Sequence, residues 1–144
     1  MSNKNSIELF FHEDIIKLYL KNNKLYIIFL GNELINKIYL KLLEKLELFY
    51  DICKKKNKQF YFILNFSLYK TIYFPSLFTY ISKTSIFLNK NKEFYKTHKF
   101  GTIFITETQI AKEISKLILS NYTPVRPYKF LNNKEEIILD FTFE

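Results

Sequence analysis

Cysteine, histidine and glycine are all scarce in this 144-residue sequence. The single cysteine, Cys53, excludes an internal disulfide and any zinc site built from several cysteines. His12 and His98 are far apart and lack the spacing of a metal-ligand pair. The two glycines, Gly31 and Gly101, are too few for a glycine-rich loop that cradles phosphates. The sequence therefore predicts neither a bound metal nor a cofactor.

The sequence also lacks groups spaced for catalysis. A serine–histidine–acid triad would have to bring Ser67 or Ser76 together with His98 and Asp140, and nothing in their spacing favours it. We therefore expect a protein that is not an enzyme and that works by binding.

Long hydrophobic runs are absent as well. The longest clean apolar run, residues 25–30, is far shorter than the roughly 20 residues that a membrane-spanning helix needs. No cationic leader precedes an apolar stretch, so no secretory signal is predicted. Hydrophobic residues make up 48% of the chain, which is enough for a core. We expect one cytoplasmic domain spanning residues 1–144.

The first half of the sequence predicts strands followed by one long helix. Residues 7–11 suit a first strand. Asparagine tolerates positive φ, so Asn22-Asn23 predicts a tight turn between hairpin strands at 15–20 and 25–30. Apolar residues then recur at spacings of three and four, which predicts a helix that is capped by Asn32 and runs to about Lys56.

The second half alternates strands and helices. The predicted elements are a strand at 60–64, a helix from Pro75, a polar connection at 89–98, a strand at 102–106, a helix capped by Thr106 with Gln109, and a strand at 128–130. Residues 133–140 suit either a helix or a strand. Because alternation favours parallel strands joined by crossover helices, we predict an α/β fold. Its sheet is expected to be mostly parallel or mixed, with five or six strands and three or four helices.

Arginine is nearly absent, although the net charge is +8. A basic protein is a candidate for binding nucleic acid or an anionic membrane. All but one of the 22 basic residues are lysines, however, whereas phosphate recognition draws heavily on the bidentate guanidinium of arginine. The abundance of Phe, Tyr, Ile, Asn and Lys also follows AT-rich codon usage, which accounts for much of the charge without a function.

A cluster of four lysines lies at the end of the predicted long helix. The negative end of the helix dipole stabilises cations at this position, which explains the cluster without a ligand. The alternative is that the cluster contacts an anion. Its members are Lys54, Lys55, Lys56 and Lys58.

The segment Ile63-Leu64-Asn65-Phe66-Ser67, followed by Ile72 and Leu77, resembles the central motif of STAS domains, named for sulphate transporters and anti-sigma factor antagonists. In that family a strand ends in a turn of the form Asp-x-Ser, and Asp-Ser-Ser-Gly-Leu then opens a helix. Asn65 and Ser67 take the turn positions here, and Leu77 takes the leucine. Gly31 resembles a glycine between a strand and the first long helix. The element order implies a STAS-like fold over nearly the whole chain.

The sequence departs from the family where partner binding is regulated. Tyr73-Phe74-Pro75-Ser76 stands in place of Asp-Ser-Ser-Gly. In bacterial members, phosphorylation of the serine after the aspartate controls partner binding by adding negative charge at a helix start. Phe74 occupies that position and has no hydroxyl. The resemblance therefore implies a STAS-like regulatory module without the usual phosphoserine switch.

The same loop is the candidate docking site for a protein partner. Tyrosine and phenylalanine are enriched at the centres of interfaces, and a helix start attracts anionic groups. The alternative is that Tyr73 and Phe74 fill the edge of the core. Binding of nucleic acid or an anionic membrane is the alternative function. The predicted docking residues are Tyr69, Tyr73, Phe74, Pro75, Ser76 and Leu77.

Overall fold

The structure is a computed structural model that describes residues 6–31, 34–69 and 77–132. Six strands form one sheet in the order β1-β2-β3-β4-β5-β6. The first three strands pair antiparallel, and β3 to β6 pair parallel. The predicted α/β fold with a mixed sheet is therefore confirmed. The strands are β1 (Ser6–His12), β2 (Ile16–Lys21), β3 (Lys24–Phe29), β4 (Phe60–Asn65), β5 (Lys99–Ile105) and β6 (Tyr128–Leu131).

The hairpin predicted around the two asparagines is confirmed. Asn22 has φ 58° in the turn, and Lys21 faces Lys24 across the pair. Because alternate strand residues point to opposite faces, Ile16 and Leu18 are buried while the intervening Lys17 stays partly exposed. Gly31 then leads the chain out of β3 with φ 109°.

The described ranges contain four helices, which are interspersed with the last three strands: α1 (Asn36–Lys56), α2 (Leu77–Lys90), α3 (Lys92–His98) and α4 (Gln109–Asn121). Within α1 the predicted apolar stripe is buried from Ile38 to Cys53. The helix begins at Asn36, later than predicted, with Ile35 as the N-cap. It ends at Lys56, because Asn57 takes the left-handed conformation and donates its N–H to the Cys53 carbonyl.

Helix α3 corrects the prediction of a polar connection at 89–98. Its lysines lie among exposed or half-buried positions, but Phe94 and Tyr95 are buried in the core. Two aromatic side chains in seven residues are too few to show a helical period in the sequence. Tertiary packing therefore determines this helix.

The predicted cap of the last described helix was also wrong. Thr108, not Thr106, is the N-cap of α4, and its hydroxyl accepts a hydrogen bond from the Ala111 N–H at 3.0 Å. Thr106 instead follows β5, where its N–H donates to the Leu131 carbonyl at 2.8 Å. Residues 133–140, predicted as helix or strand, lie outside the described residues.

Each face of the sheet carries its own hydrophobic cluster. Consecutive parallel strands joined by right-handed crossovers place the connecting helices on one face. The larger cluster accordingly includes Leu42 of α1, Ile81 of α2, Phe94 of α3 and Ile114 of α4. Among the described residues, the smaller cluster consists of strand residues, namely Tyr26, Ile63, Ile103 and Ile105, with Tyr19 and Leu131 against it.

Candidate functional site

The carboxyl ends of β3, β4 and β5 meet at one edge of the sheet, the usual position of binding sites in open α/β folds. Asn65, the last residue of β4, is 2% exposed. Its side-chain oxygen accepts a hydrogen bond from the Ser67 N–H at 2.9 Å. This local bond makes an Asx turn, so the turn positions assigned by resemblance do form a turn.

Ser67 connects this turn to the next strand. Its hydroxyl donates to the Ile105 carbonyl at 3.3 Å and accepts from the Glu107 N–H at 3.3 Å. The ends of β4 and β5 are thereby joined through one side chain. The turn is therefore a fixed support for the segment that follows it.

Gly31 is required at this edge because the chain approaches Leu68 closely. With φ 109°, Gly31 adopts a backbone conformation that side chains rarely allow. A Cβ at this position would lie 3.0 Å from the Leu68 carbonyl oxygen. Gly31 thus lets the exit from β3 pack against the turn after β4.

Substituting Gly31 with alanine is expected to lower the free energy of unfolding by about 1–3 kcal/mol, the usual cost of a non-glycine residue in such a conformation. Urea unfolding followed by circular dichroism measures the change. Ser82→Ala, at an exposed position of α2, is the control and should leave stability within about 0.5 kcal/mol of the original. Equal stability of the two variants would contradict the close approach.

The structure places only part of the predicted docking loop. Tyr69 is buried, and its ring lies 5.9 Å from that of Phe29 and 6.5 Å from that of Phe66, centroid to centroid. Its ring therefore presents little surface to a partner. Leu77 is the first residue of α2. Tyr73, Phe74, Pro75 and Ser76 lie outside the described residues, so their docking role stays a prediction.

Exposed apolar side chains on both sides of that segment were not identified from the sequence. Leu68 is 50% exposed directly before it, and Phe78 is 63% exposed in the first turn of α2. Ile35, which precedes α1, is 45% exposed. Ile35 and Phe78 lie at the starts of α1 and α2, and Leu68 lies in the turn after β4, so all three belong to the carboxyl edge; we refer to them together as the apolar edge patch. No local pattern distinguishes these residues from core residues, because their exposure depends on how the helices pack on the sheet.

A small cavity lies within the larger cluster. Its volume is about 70 Å³, well below the roughly 300–1,000 Å³ of small-molecule sites. The polar groups in its lining include the hydroxyls of Tyr39 and Thr84, which bond to each other at 2.7 Å. The remaining lining is mainly aliphatic and aromatic and includes Leu34, Tyr69 and Tyr80. The cavity is suited to an apolar group of side-chain size.

The predicted lysine cluster lies at the end of α1. Lys54, Lys55, Lys56 and Lys58 are all exposed. The first three belong to the last turn of the helix, where the dipole favours them. Lys54 is 3.9 Å from an Asp51 carboxylate oxygen.

Lys99 is an unexpected buried amine. It is 4% exposed, and its Nζ lies 3.9 Å from the Tyr95 ring centroid and 5.4 Å from that of Phe62. Burial lowers the pKa of Lys99 to about 7. Lys99 begins a strand in a lysine-rich segment. Nothing in the sequence distinguishes it from the exposed lysines nearby.

Cys53 packs in the core as an inert thiol. It is buried, and burial raises its pKa to about 11, which disfavours the reactive thiolate. Within the described ranges, no three His, Cys, Asp or Glu side chains are grouped to hold a metal ion. In the same ranges, no helix has the length and apolar character to cross a bilayer.

Comparison with known proteins identifies no relative: no family model, no curated protein and no solved structure matches this chain. The fold itself therefore defines the class, an α/β protein with a mixed six-stranded sheet and, in its described part, four helices.

Proposed function

We propose that this protein is a non-enzymatic, STAS-like interaction module that binds a protein partner at the carboxyl edge of its sheet. The observation that supports this most is the exposure of Leu68 and Phe78 on either side of the loop singled out in the sequence. Large apolar side chains exposed at one edge are typical of binding surfaces. An aromatic residue among them is typical of the residues that dominate binding energy.

The hydrogen bonds around Ser67 support the proposal because they make the edge rigid. Asn65 fixes the turn, and the Ser67 hydroxyl bonds to the backbone of Ile105, the last residue of β5, and of Glu107, two residues later. A surface that is already ordered loses little conformational entropy when it binds. Leu68, directly after Ser67, is therefore presented from a preorganised position.

The proposed module binds without a phosphoserine switch. Phe74 stands at the position that carries the phosphorylated serine in the resembling family. The nearby Ser67 hydroxyl already makes two hydrogen bonds to the backbone. Binding is therefore expected not to depend on phosphorylation at this loop.

A capture experiment with matched variants tests the proposal. Leu68→Asp and Phe78→Asp each put a charge into the apolar edge patch, and Phe74→Asp does so in the predicted loop. Ile86→Asp is the control, because Ile86 is 66% exposed on the same helix, eight residues further along. We expect a set of proteins captured by the unmodified chain and the control to be lost from the three patch and loop variants.

The capture is read by quantitative mass spectrometry, and circular dichroism establishes that each variant is folded. A loss of about tenfold or more is expected, because an interface anchor contributes about 2 kcal/mol or more. Identical captured sets for all four variants would contradict a docking site at the carboxyl edge.

A further inference from the structure

The structure gathers lysines from distant parts of the sequence at the opposite, amino edge of the sheet. Each crossover helix runs back along the strands, so the ends of α1 and α2 reach the edge where β4 and β5 begin. Lys54 at the end of α1 lies 5.6 Å from the Phe94 ring of α3, measured from Nζ to the centroid. Gln59, at the start of β4, donates to the Thr97 carbonyl at 3.1 Å.

The turn between β2 and β3 joins the same edge. The Tyr61 N–H donates to the Asn23 carbonyl at 2.8 Å, and Lys24 is in register with Tyr61. Burial and the nearby charge of Lys21 both lower the pKa of Lys24. Positive charge is thus concentrated beside the end of α1.

Five lysines at this edge have no acidic partner among the residues that the structure describes. The acidic side chains nearby are already used, since Asp51 pairs with Lys54 and Glu93 pairs with Lys96. We call the five unpaired lysines the basic edge. They are Lys21, Lys55, Lys56, Lys58 and Lys92.

The opposite edge carries acidic side chains together with exposed lysines, such as Lys37 in the first turn of α1 and Lys112 in the first turn of α4. Glu13 and Asp14 lie in the turn between β1 and β2, next to the carboxyl end of β3, and Glu107 follows β5. All three are exposed. The basic edge differs in that its five lysines have no acidic partner in the described ranges, and such a patch attracts a polyanion.

The side chains between these lysines are mainly polar, with Ile52, 48% exposed one turn before Lys56, as an apolar exception, and this favours nucleic acid over a membrane. Asn22, Asn57, Gln59 and Thr97 are polar and exposed, whereas membrane-binding surfaces place Leu, Phe or Trp among their lysines. On the sheet face away from the helices, the rings of Tyr61 and Phe100 lie 4.7 Å apart and are only half buried, beside Lys24, which is in register with Tyr61. Lysines beside aromatic rings are the usual combination for binding a single strand.

We propose that the basic edge binds single-stranded nucleic acid through its phosphates, with little preference for sequence. Lysine contacts a phosphate as a point charge and does not read bases. About five phosphate contacts would give a slope of about −3.5 for the logarithm of affinity against that of salt concentration.

Fluorescence anisotropy with a mixed-sequence single strand of about 20 nucleotides tests this, in RNA and DNA forms. The variant Lys55→Gln/Lys56→Gln/Lys58→Gln should lose about tenfold or more in affinity at low salt, with the slope reduced by about 2. The control Lys37→Gln/Lys112→Gln/Lys116→Gln removes the same charge from exposed helix positions away from this edge. It should change the affinity and the salt slope much less.

Two results would overturn the proposal. One is absence of strand binding at low salt; the other is equal loss in both triple variants, which would show a net-charge effect. Flotation with vesicles of phosphatidylserine and phosphatidylcholine separates a membrane from a nucleic acid. Binding to vesicles but not to the strand would be a case of the first result and would indicate a lipid surface instead. Leu68→Asp, at the other edge, should leave strand binding unchanged, so this test fails independently of the docking proposal.

Discussion

Replacing Lys99 with methionine is expected to raise the free energy of unfolding at pH 7 by up to about 4 kcal/mol. Burial lowers the pKa of Lys99 from 10.5 to about 7, so the folded protein disfavours the charged amine that the unfolded chain prefers. Each pKa unit corresponds to about 1.4 kcal/mol. The ring of Tyr95, 3.9 Å from Nζ, favours the ammonium and makes about 4 kcal/mol the upper end of the gain.

The pH dependence gives a second measurement of the same effect. Between about pH 7 and 10 the unfolded chain holds a proton on this lysine that the folded protein has released. Stability should therefore rise with pH from about 7 to 9, by up to about 1.4 kcal/mol per unit from Lys99, and most of the slope should be lost in Lys99→Met, since the lowered pKa of Lys24 contributes the remainder. Above about pH 9 the rise should level off and then reverse, because burial raises the pKa of Cys53 to about 11 and those of Tyr26 and Tyr39 to about 12, and the stabilisation of their protonated forms is then lost.

Urea unfolding at pH 7, 8 and 9 measures these values. Lys96→Met is the control, since Lys96 is exposed three residues earlier, and it should keep the pH slope of the original protein. Two results would show that Lys99 is not a buried neutral amine. One is a Lys99→Met variant less stable than the original at pH 7. The other is a free energy of unfolding that does not change with pH in the original protein or in Lys96→Met.

Truncating Tyr50 to alanine is expected to cost about 3–5 kcal/mol, the range for large aromatic residues in a core. Tyr50 is 1% exposed, and its ring lies within 6.0 Å of the rings of Phe60, Phe87 and Phe94, centroid to centroid. Its hydroxyl bonds to that of Tyr95 at 2.9 Å. Tyr50 thus connects α1 to the strands and to α3.

A double-mutant cycle separates the ring from the hydroxyl. Tyr50→Phe and Tyr95→Phe should each cost about 1–3 kcal/mol, because each leaves one buried hydroxyl without its partner. The double variant removes both hydroxyls and should cost clearly less than the sum of the two. Additive losses in urea unfolding would contradict a buried hydroxyl pair.

The sequence predicted elements whose pattern is local. Helix α1 was found because its apolar residues recur at helical spacing, and the hairpin because Asn22 tolerates positive φ. Helix α3 was missed because only packing on Tyr50 and Phe60 stabilises Phe94 as a helical core residue. The cap of α4 was misplaced because Thr106 and Thr108 are both acceptable caps locally, and only the pairing of β5 with β6 distinguishes them.

The candidate sites depended more on tertiary structure. The turn at Asn65 and Ser67 was predicted from a short resemblance, but its bonds to Ile105 and Glu107 join residues about 40 positions apart. Hydrophobicity alone predicts a buried Phe78 and an exposed Lys99, and the structure has the opposite for each. The basic edge joins Lys21 to Lys58 only after the parallel strands pair.

Photo-crosslinking from the apolar edge patch tests the docking site most directly. A benzophenone amino acid replaces Phe78 in one variant and Ile86 in another, so the two probes lie on one helix at different distances from the patch. We predict a discrete crosslinked protein from position 78 that is absent from position 86 and lost when Leu68→Asp is added. Adducts from position 86 alone, or equal adducts from both, would contradict a partner bound at the carboxyl edge.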